Sequence, residues 1–512
     1  MWGAVMNIYV LFFIAIIPIV WLMISLGALK MPGHKTCPIT LLITIILAII
    51  VWKMPFGQSI TASLEGAAMA LWPIMIVIVA AVFTYNLSIY TKSMDIIKKM
   101  MTSITTDRRI LVLILAWGFG GFLEAIAGFG TAVAIPASIL AALGFDPIFA
   151  AIICLIANTT PTAFGAIGIP VSTLAKVANL DVTTLSYAVA IQLALLIVVV
   201  PIILVMLTGK SVKAIKGVFL IALFSGISFA IPEVVAAKYL GAELPAILGS
   251  VLCLLVTIVM AKVFYKDKAA KDVEKLTFKE QFIAWIPFIL VFVFIIVTSP
   301  LIKPVNAALA QIQTSIKIYT GVGAKAYSFA WIGNPGTLII IATFIGGLIQ
   351  GAKFKEILKV LFNTIKQMSK SAITIVSILA LAKVMGYSGM IKSVAVVLVA
   401  TTGSFYPIIS PLIGALGTFV TGSDTSSNIL FGGLQVEVSK SLGLNPYWLA
   451  AANTGGATAG KMISPQSIAV ATAATGLVGN EGKILNSTLK FCIVYVIVLG
   501  IFAYFMGSLF GF

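Results

Sequence analysis

The chain has 512 residues, 61% of them hydrophobic and only 10% charged. A soluble domain is about 45–50% apolar and about 25% charged, so this composition excludes a single soluble core and implies many membrane spans. The formal charge of +17 does not point to nucleic acid, because the cations stand in short loops between apolar runs, where the positive-inside bias puts them.

A bilayer crossing takes about 20 mostly apolar residues. Such windows fall near 5–28, 37–53, 67–85, 183–208, 217–232, 244–263, 282–300, 329–349, 372–387 and 489–510. The first is too long for a cleavable signal and reads as a span. Two blocks, 109–178 and 391–478, are apolar but interrupted by Gly, Pro, Asn, Ser and Thr. They read as short, broken or re-entrant helices. The expected fold is an all-α polytopic membrane protein with about 12–14 transmembrane segments.

Five basic clusters set the orientation: Lys30 and Lys35; Lys92 to Arg109; Lys210 to Lys216; Lys262 to Lys279; and Lys353 to Lys370. Placing all five in the cytoplasm gives a regular alternation and puts both termini outside. The segment 301–326, with Lys303, Lys317 and Lys325, does not fit the rule. Glu233 and Glu243 flank Lys238 in an expected outer loop, and His34 reads as a solvated loop residue. Cys37, Cys154, Cys253 and Cys492 lie in or beside apolar segments without CxxC spacing, and read as small core residues.

The two broken blocks resemble each other. LGFDP at 143–147 precedes ANTTPTAFGAIGIP at 157–170; LGLNP at 442–446 precedes ANTGGATAGKMISP at 452–465. The offsets, 299 and 295, suggest duplication. With the orientation above, the span at 37–53 and its counterpart at 329–349 run in opposite senses, so the halves read as inverted repeats. The expected division is 1–261 for the first half with a connecting hairpin, 262–281 for a lysine-rich cytoplasmic linker, and 282–512 for the second half. Such repeats belong to secondary transporters, whose sites form near the midplane on discontinuous helices.

Irregular backbone survives at membrane depth only if it is buried in protein or lines a wet cavity. The polar residues of the broken blocks suit an anion. Thr159, Thr160 and Thr454 offer hydroxyls, Asn158 and Asn453 offer amides, and helix N-termini offer free N–H groups. In the run GSDTSSN at 422–428, Ser423 or Asp424 is suited to cap a half-helix. Hydroxyls and glycines in membrane helices also serve packing alone. Four charges stand within apolar segments: Glu124, Lys383, Asp424 and Lys461. A charge at the bilayer centre costs about 2.5–3.5 kcal/mol or more, so each marks a functional candidate unless it is paired, as Glu124 with Lys383 or Asp424 with Lys461. Glu65 and Lys53 are expected near the outer face, solvated. No metal cluster, nucleotide motif or catalytic constellation appears, so neither an enzyme nor a cofactor is expected.

GFLEAIAGFGTAVAIPASILAALGFDP with CLIANTTPTAFGAIGIPV, and GTFVTGSDTSSNILFGGLQ with ANTGGATAGKMISPQSIAVATAATGLVGNEG, resemble the L-lactate permease family over most of the chain. That resemblance implies a prokaryotic cytoplasmic-membrane symporter of protons with L-lactate, D-lactate, glycolate or related 2-hydroxy monocarboxylates. The family's Glu-Ser-Ala-Ala-Gly-Phe-Gly pattern is here Glu124 to Gly130, with the glutamate and both glycines kept and the hydroxyl lost. The paired Asn-Thr dipeptides are also similar to the tips of dicarboxylate/sodium symporters, which implies an elevator-type motion.

The resemblance implies these roles. Glu124, with Asp424 as a second site, carries the proton, since a carboxyl in an apolar pocket favours its neutral form. Lys461 or Lys383, with Asn158, Thr159, Thr160, Ser423, Thr425, Ser426, Asn453 and Thr454, holds the substrate. Gly128, Gly130, Gly165, Gly422, Gly455 and Gly456 give backbone freedom. Membrane lipid is the surrounding partner, and a homodimer is left open. A sodium-coupled small-carboxylate carrier and a passive anion channel are the alternatives.

Overall fold

Helix starts recur in one form along the chain. Asp146, Asn334, Asn445 and Ser464 each accept a backbone N–H one to three residues into a helix whose first position is proline. The side chain satisfies an orphan donor, and the proline occupies a position that needs none. The structure, a computed structural model, describes residues 7–29, 31–102, 104–128, 130–265, 277–298, 302–324, 326–477 and 480–512. Lys30, Phe129, Lys325 and, in the linker, Lys266, Lys268, Lys271 and Lys275 lie outside these.

The helices are α1 Ile8–Leu26, α2 Gly33–Ile50, α3 Phe56–Tyr90, α4 Ser93–Thr102, α5 Arg108–Ile126, α6 Thr131–Ala142, α7 Pro147–Ala157, α8 Gly165–Ala178, α9 Val182–Thr208, α10 Phe219–Leu240 and α11 Pro245–Phe264. They continue as α12 Phe278–Thr298, α13 Lys303–Ala310, α14 Pro335–Ile349, α15 Phe354–Ser388, α16 Met390–Thr402, α17 Tyr406–Thr421, α18 Asp424–Leu442, α19 Pro446–Lys461, α20 Pro465–Thr475 and α21 Glu481–Met506. Among the described residues, 11 helices are long and apolar enough to cross a membrane, or 12 with the bent pair that ends in α8; α6 and α14 are shorter apolar helices. The chain is thus an all-α multi-pass membrane protein.

Several boundaries differ from the hydropathy windows. The window at 372–387 is the second half of the 35-residue α15, whose first half carries lysines and is invisible to an apolar count. Between α13 and α14 stands a hairpin, β1 Gln313–Ile316 against β2 Tyr327–Ala330, antiparallel with Gln313 opposite Ala330. It braces a break in α3, where Trp72 leaves helical geometry (φ −133°). The Trp72 indole donates to the Ala330 carbonyl at 2.9 Å, and the Tyr327 hydroxyl donates to the Trp72 carbonyl at 2.6 Å.

The two broken blocks are not broken alike. In the first, α7 ends at Ala157, a 3-10 turn follows over Thr160–Phe164, and Ala166, Ile167 and Gly168 all take positive φ before α8 continues; the axes bend by 51°. Pro161 lacks the N–H that a continuing helix would need. In the second, α19 runs unbroken through Asn453–Gly460. No proline interrupts it before Pro465, and its glycines serve contact. A Cβ on Gly456 would lie 1.8 Å from the Pro411 carbonyl oxygen, and one on Gly455 would lie 2.5 Å from Leu499. The flexibility expected of Gly455 and Gly456 is therefore replaced by close helix packing.

Contacts across the molecule recur at a spacing of 259 residues. The Thr84 and Thr343 hydroxyls lie 2.6 Å apart, Thr61 and Thr320 lie 3.1 Å apart, and Thr91 donates to Gln350 at 2.8 Å. The order α6–α7–break–α8–α9 is repeated as α16–α17–break–α18–α19. In that order LGLNP opens the partner of α9, whereas the sequence match set it against LGFDP, which opens α7.

Candidate functional site

Glu124 is in the last turn of α5, three residues before the chain reaches Ala127 and then the positive-φ glycines Gly128 and Gly130. It is only 2% exposed. Its carboxylate fits against the backbone of α8 because residue 165 is glycine: a Cβ there would be 2.6 Å from Oε1. Lys461, the last residue of α19, brings Nζ to 3.7 Å from the same Oε1. An ammonium at a helix C-terminus also meets the negative end of the helix dipole. Glu124 Oε2 is buried without a partner.

Asp424 opens α18 and is likewise 2% exposed. Its Oδ1 accepts from the Thr418 hydroxyl at 3.2 Å, and its Oδ2 has no partner. Ser423 caps the helix, accepting from the Ser426 N–H at 3.3 Å. Gly422, at φ 73°, makes the turn between α17 and α18. Ser464 caps α20 in the same way, accepting from the Ser467 N–H at 3.1 Å.

These groups, Thr418 and Ser464 excepted, line one cavity of about 360 Å³, within the usual range of about 300–1,000 Å³ for small-ligand pockets. Glu124, Asp424 and Lys461 face it. So do Gly128, Gly130, Gly165, Gly422, Ser423, Thr425 and Ser426. The N-termini of α6, α18 and α20 all open onto it, each bringing backbone N–H groups with partial positive charge. Neither expected ion pair, Glu124 with Lys383 or Asp424 with Lys461, is the one formed: Glu124 pairs with Lys461, and Lys383 with Glu65.

Other sequence candidates lie elsewhere. Asn158 and Thr160 are buried at the first break with side chains unpartnered, and the Thr159 hydroxyl donates to the Leu155 carbonyl. Asn453 and Thr454 belong to a buried amide network: both donate to Asn428 Oδ1 at 3.0 Å, and Gln435 donates to Asn453 at 3.1 Å. Asn158, Thr159, Thr160, Asn453 and Thr454 are thus not among the residues that line the first cavity. Lys383 lines a second cavity, of about 820 Å³. There its ammonium lies 2.7 Å from Glu65 Oε1, which also accepts from the Tyr387 hydroxyl at 2.9 Å. Glu65 is 4% exposed, not solvated as expected: α3 carries it inward and Lys383 neutralises it.

Helices α8 and α15 border both cavities. Gly165 to Pro170 line the first and Ser172 to Lys176 the second; in α15 the change comes between Ile378 and Leu379. The sequence reading missed Thr162, Thr421, Gln466 and Ser467 in the first cavity. Ser464-Pro465 is a helix-start signature that marks the last two; nothing in sequence marks Met31 to Gly33, which also reach it.

Outside the spans, Asp181 caps α9. Hydrogen bonds from the Thr184 N–H and hydroxyl, at 2.8 Å and 2.7 Å, hold its carboxyl below the usual carboxylate range.

Comparison with known proteins bears on the whole chain. The sequence profile of the L-lactate permease family matches residues 11–510. An L-lactate permease of Streptococcus iniae is 56% identical over 439 residues, covering 86% of this chain and 93% of that protein. Glycolate permease GlcA of Escherichia coli (strain K12) is 37% identical, covering 95% and 94%. An L-lactate permease of Bacillus subtilis (strain 168) is 34% identical, covering 97% and 96%. A solved structure of MtrF from Neisseria gonorrhoeae superposes with a TM-score of 0.51 at 13% identity, covering 91% of this chain and 94% of that one; the likeness is one of fold.

Proposed function

The chain belongs to the L-lactate permease family, and from that premise we propose that it is a secondary transporter carrying L-lactate, and related 2-hydroxy monocarboxylates such as glycolate, in symport with protons. The substrate class rests on the names of its relatives, which include L-lactate permeases and a glycolate permease. The coupling rests on one observation: the first cavity holds two carboxylates, Glu124 and Asp424, against one ammonium, Lys461.

The charge count supplies the mechanism. With both carboxyls ionised, the site carries one net negative charge, and a substrate anion entering it would be repelled in a poorly screened interior. A proton on either carboxyl removes that charge. The anion then meets Lys461 and the N–H groups of three helix starts, which favour a carboxylate. Anion and proton thus bind together, and each is held less well alone. Thr425, Ser426 and Ser423 are suited to the 2-hydroxyl. Glu124 is the principal proton carrier, because protonation also frees Lys461 from its partner and releases it to the substrate.

The two cavities fit alternating access. Met31 to Gly33, beside Lys35, reach the first, and the positive-inside bias favours a cytoplasmic mouth for it. Asn179 to Asp181 and Tyr387, between spans of the other sense, reach the second, which favours an outer mouth.

Uptake of radiolabelled L-lactate into proteoliposomes under an inward proton gradient, without sodium, tests the reading. Accumulation above the external concentration, abolished by a protonophore, is expected. Uptake that only equilibrates would indicate a passive channel, and strict dependence on sodium would replace the proton.

A further inference from the structure

Glu233 stands in the middle of α10, where the sequence reading expected an outer loop. It is 0% exposed, and neither carboxyl oxygen has a hydrogen-bond partner. No cation pairs with it among the described residues. An ionised carboxylate there would be an uncompensated charge in the protein interior; a protonated carboxyl would not.

The packing of α9 and α10 shows what it faces. Gly226 of α10 lies against Val198 of α9, where an added Cβ would be 2.7 Å from the Val198 Cα. Further along, the Lys238 ammonium lies 5.2 Å from the centre of the Tyr187 ring. The helices are antiparallel, and these two anchors put Glu233 level with Gln192. The Gln192 amide donates to the Trp448 carbonyl at 2.9 Å, and its Oε1 is buried and unpartnered. That oxygen only accepts. A protonated Glu233 supplies the missing donor; an ionised one adds a second acceptor.

A third group relates this pair to the first cavity: Tyr495 of α21 is buried, interacts electrostatically with both Glu233 and Asp424, and has its hydroxyl 3.0 Å from that of Thr458 on α19. The other titratable groups around α10 are Tyr187 on α9, Cys253 on α11, Lys238 and Tyr239 on α10 itself, Glu243 in the loop after it, and Tyr265 after α11, against Ile221. Lys238 is engaged with the Tyr187 and Tyr239 rings, and Cys253 with Ser225 and Thr257.

We infer that Glu233 is a further proton-binding site of the transport cycle, outside the substrate cavity and connected to Asp424 by way of Tyr495. The inference rests on the proton-symport reading above. The proton sits on one carboxyl oxygen and is hydrogen-bonded to Gln192; on release the Tyr495 hydroxyl accepts it while giving its own proton to the Asp424 carboxylate, leaving Glu233 ionised and Asp424 neutral, with no bond made to the substrate.

The test is E233Q, which mimics the neutral side chain, in proteoliposomes, with correct folding checked by size exclusion and melting temperature. Two assays are run beside wild type: accumulation driven by a pH gradient, and exchange of labelled for unlabelled lactate at equal pH. Loss of gradient-driven accumulation by about tenfold or more, with exchange kept within about threefold, supports the site. Y495F should show the same split. Wild-type behaviour in both assays means that Glu233 stays protonated throughout and overturns the inference while symport stands. Loss of both assays in folded E233Q also overturns it, since the role is then not specific to the proton. Wild-type protein that exchanges lactate but never accumulates it with the gradient overturns the symport reading itself.

Discussion

Glu124 and Lys461 form a pair whose members cannot be judged singly. Removing either leaves the other as an unpaired charge in a largely buried setting, which costs up to about 3–5 kcal/mol. Glu124→Gln and Lys461→Gln should each lower the melting temperature in detergent, and the double variant should recover most of the loss. Transport should separate them differently: Glu124→Gln should abolish gradient-driven uptake, and the double variant should not restore it. Gly165→Ala probes position without charge. The added Cβ would meet the mobile end of Glu124 at 2.6 Å, so the carboxylate shifts and the fold stays. Uptake should fall by about tenfold with little change in melting temperature. At this scale the charges were legible: Glu124, Asp424 and Lys461 stand out as isolated ions in apolar sequence. Glu65 was not, because its partner Lys383 is 318 residues away. Asn428 and Gln435 were passed over because amides on a helix look alike whether they face a cavity or one another.

Helix breaks define the next scale. Ala166 and Ile167 sit at φ 44° and 59°, where a side chain is strained. An Ala→Gly change inside an ordinary helix costs about 1 kcal/mol. Ala166→Gly should cost almost nothing, and Ala457→Gly in the straight α19 the full amount, as read from thermal unfolding of the two variants. Gly456→Ala should be far worse than either, because the obstacle is the Pro411 carbonyl and backbone cannot step aside; about 1–3 kcal/mol or more is expected. The Asp181 cap adds a pH dependence. Its folded-state pKa is depressed, so its stabilisation is present above the unfolded value of about 3.9 and disappears as pH falls through the lower folded value. Asp181→Asn should therefore melt below wild type at pH 7, with the gap closing below about pH 4. Sequence showed that both blocks were interrupted but not where: in helix order the break after α7 matches the turn at Gly422 and Ser423 between α17 and α18, while the second Asn-Thr lies in the straight α19.

For the whole molecule, the spans were legible because a bilayer imposes length and apolarity on each. The hairpin between α13 and α14 was not, since it lies in polar sequence where hydropathy carries no signal. The arrangement of two cavities along α8 and α15 was also hidden, because it depends on which neighbouring helices leave space. It can be examined directly. In a background with Cys37, Cys154, Cys253 and Cys492 replaced, Ser371→Cys should react with an impermeant thiol reagent from the cytoplasmic side only. Ala382→Cys should react from the outside only, and substrate with acid pH should change the two rates in opposite senses. Equal labelling of both positions from one side would contradict the assigned orientation.

The contacts at a spacing of 259 residues have an evolutionary consequence. Were Thr84 and Thr343 counterparts in a duplicated chain, their contact would mark the place where a two-fold axis ran. Before any gene fusion, that contact would have been an interface between two separate copies of a shorter polypeptide. The present chain would then keep an ancestral dimer inside itself, and its halves would be bound by surfaces older than the segment that joins them. A gene divided within 266–276 and expressed as two fragments should on this view still yield one assembled carrier. Lineages should tolerate change at Thr84 only together with change at Thr343.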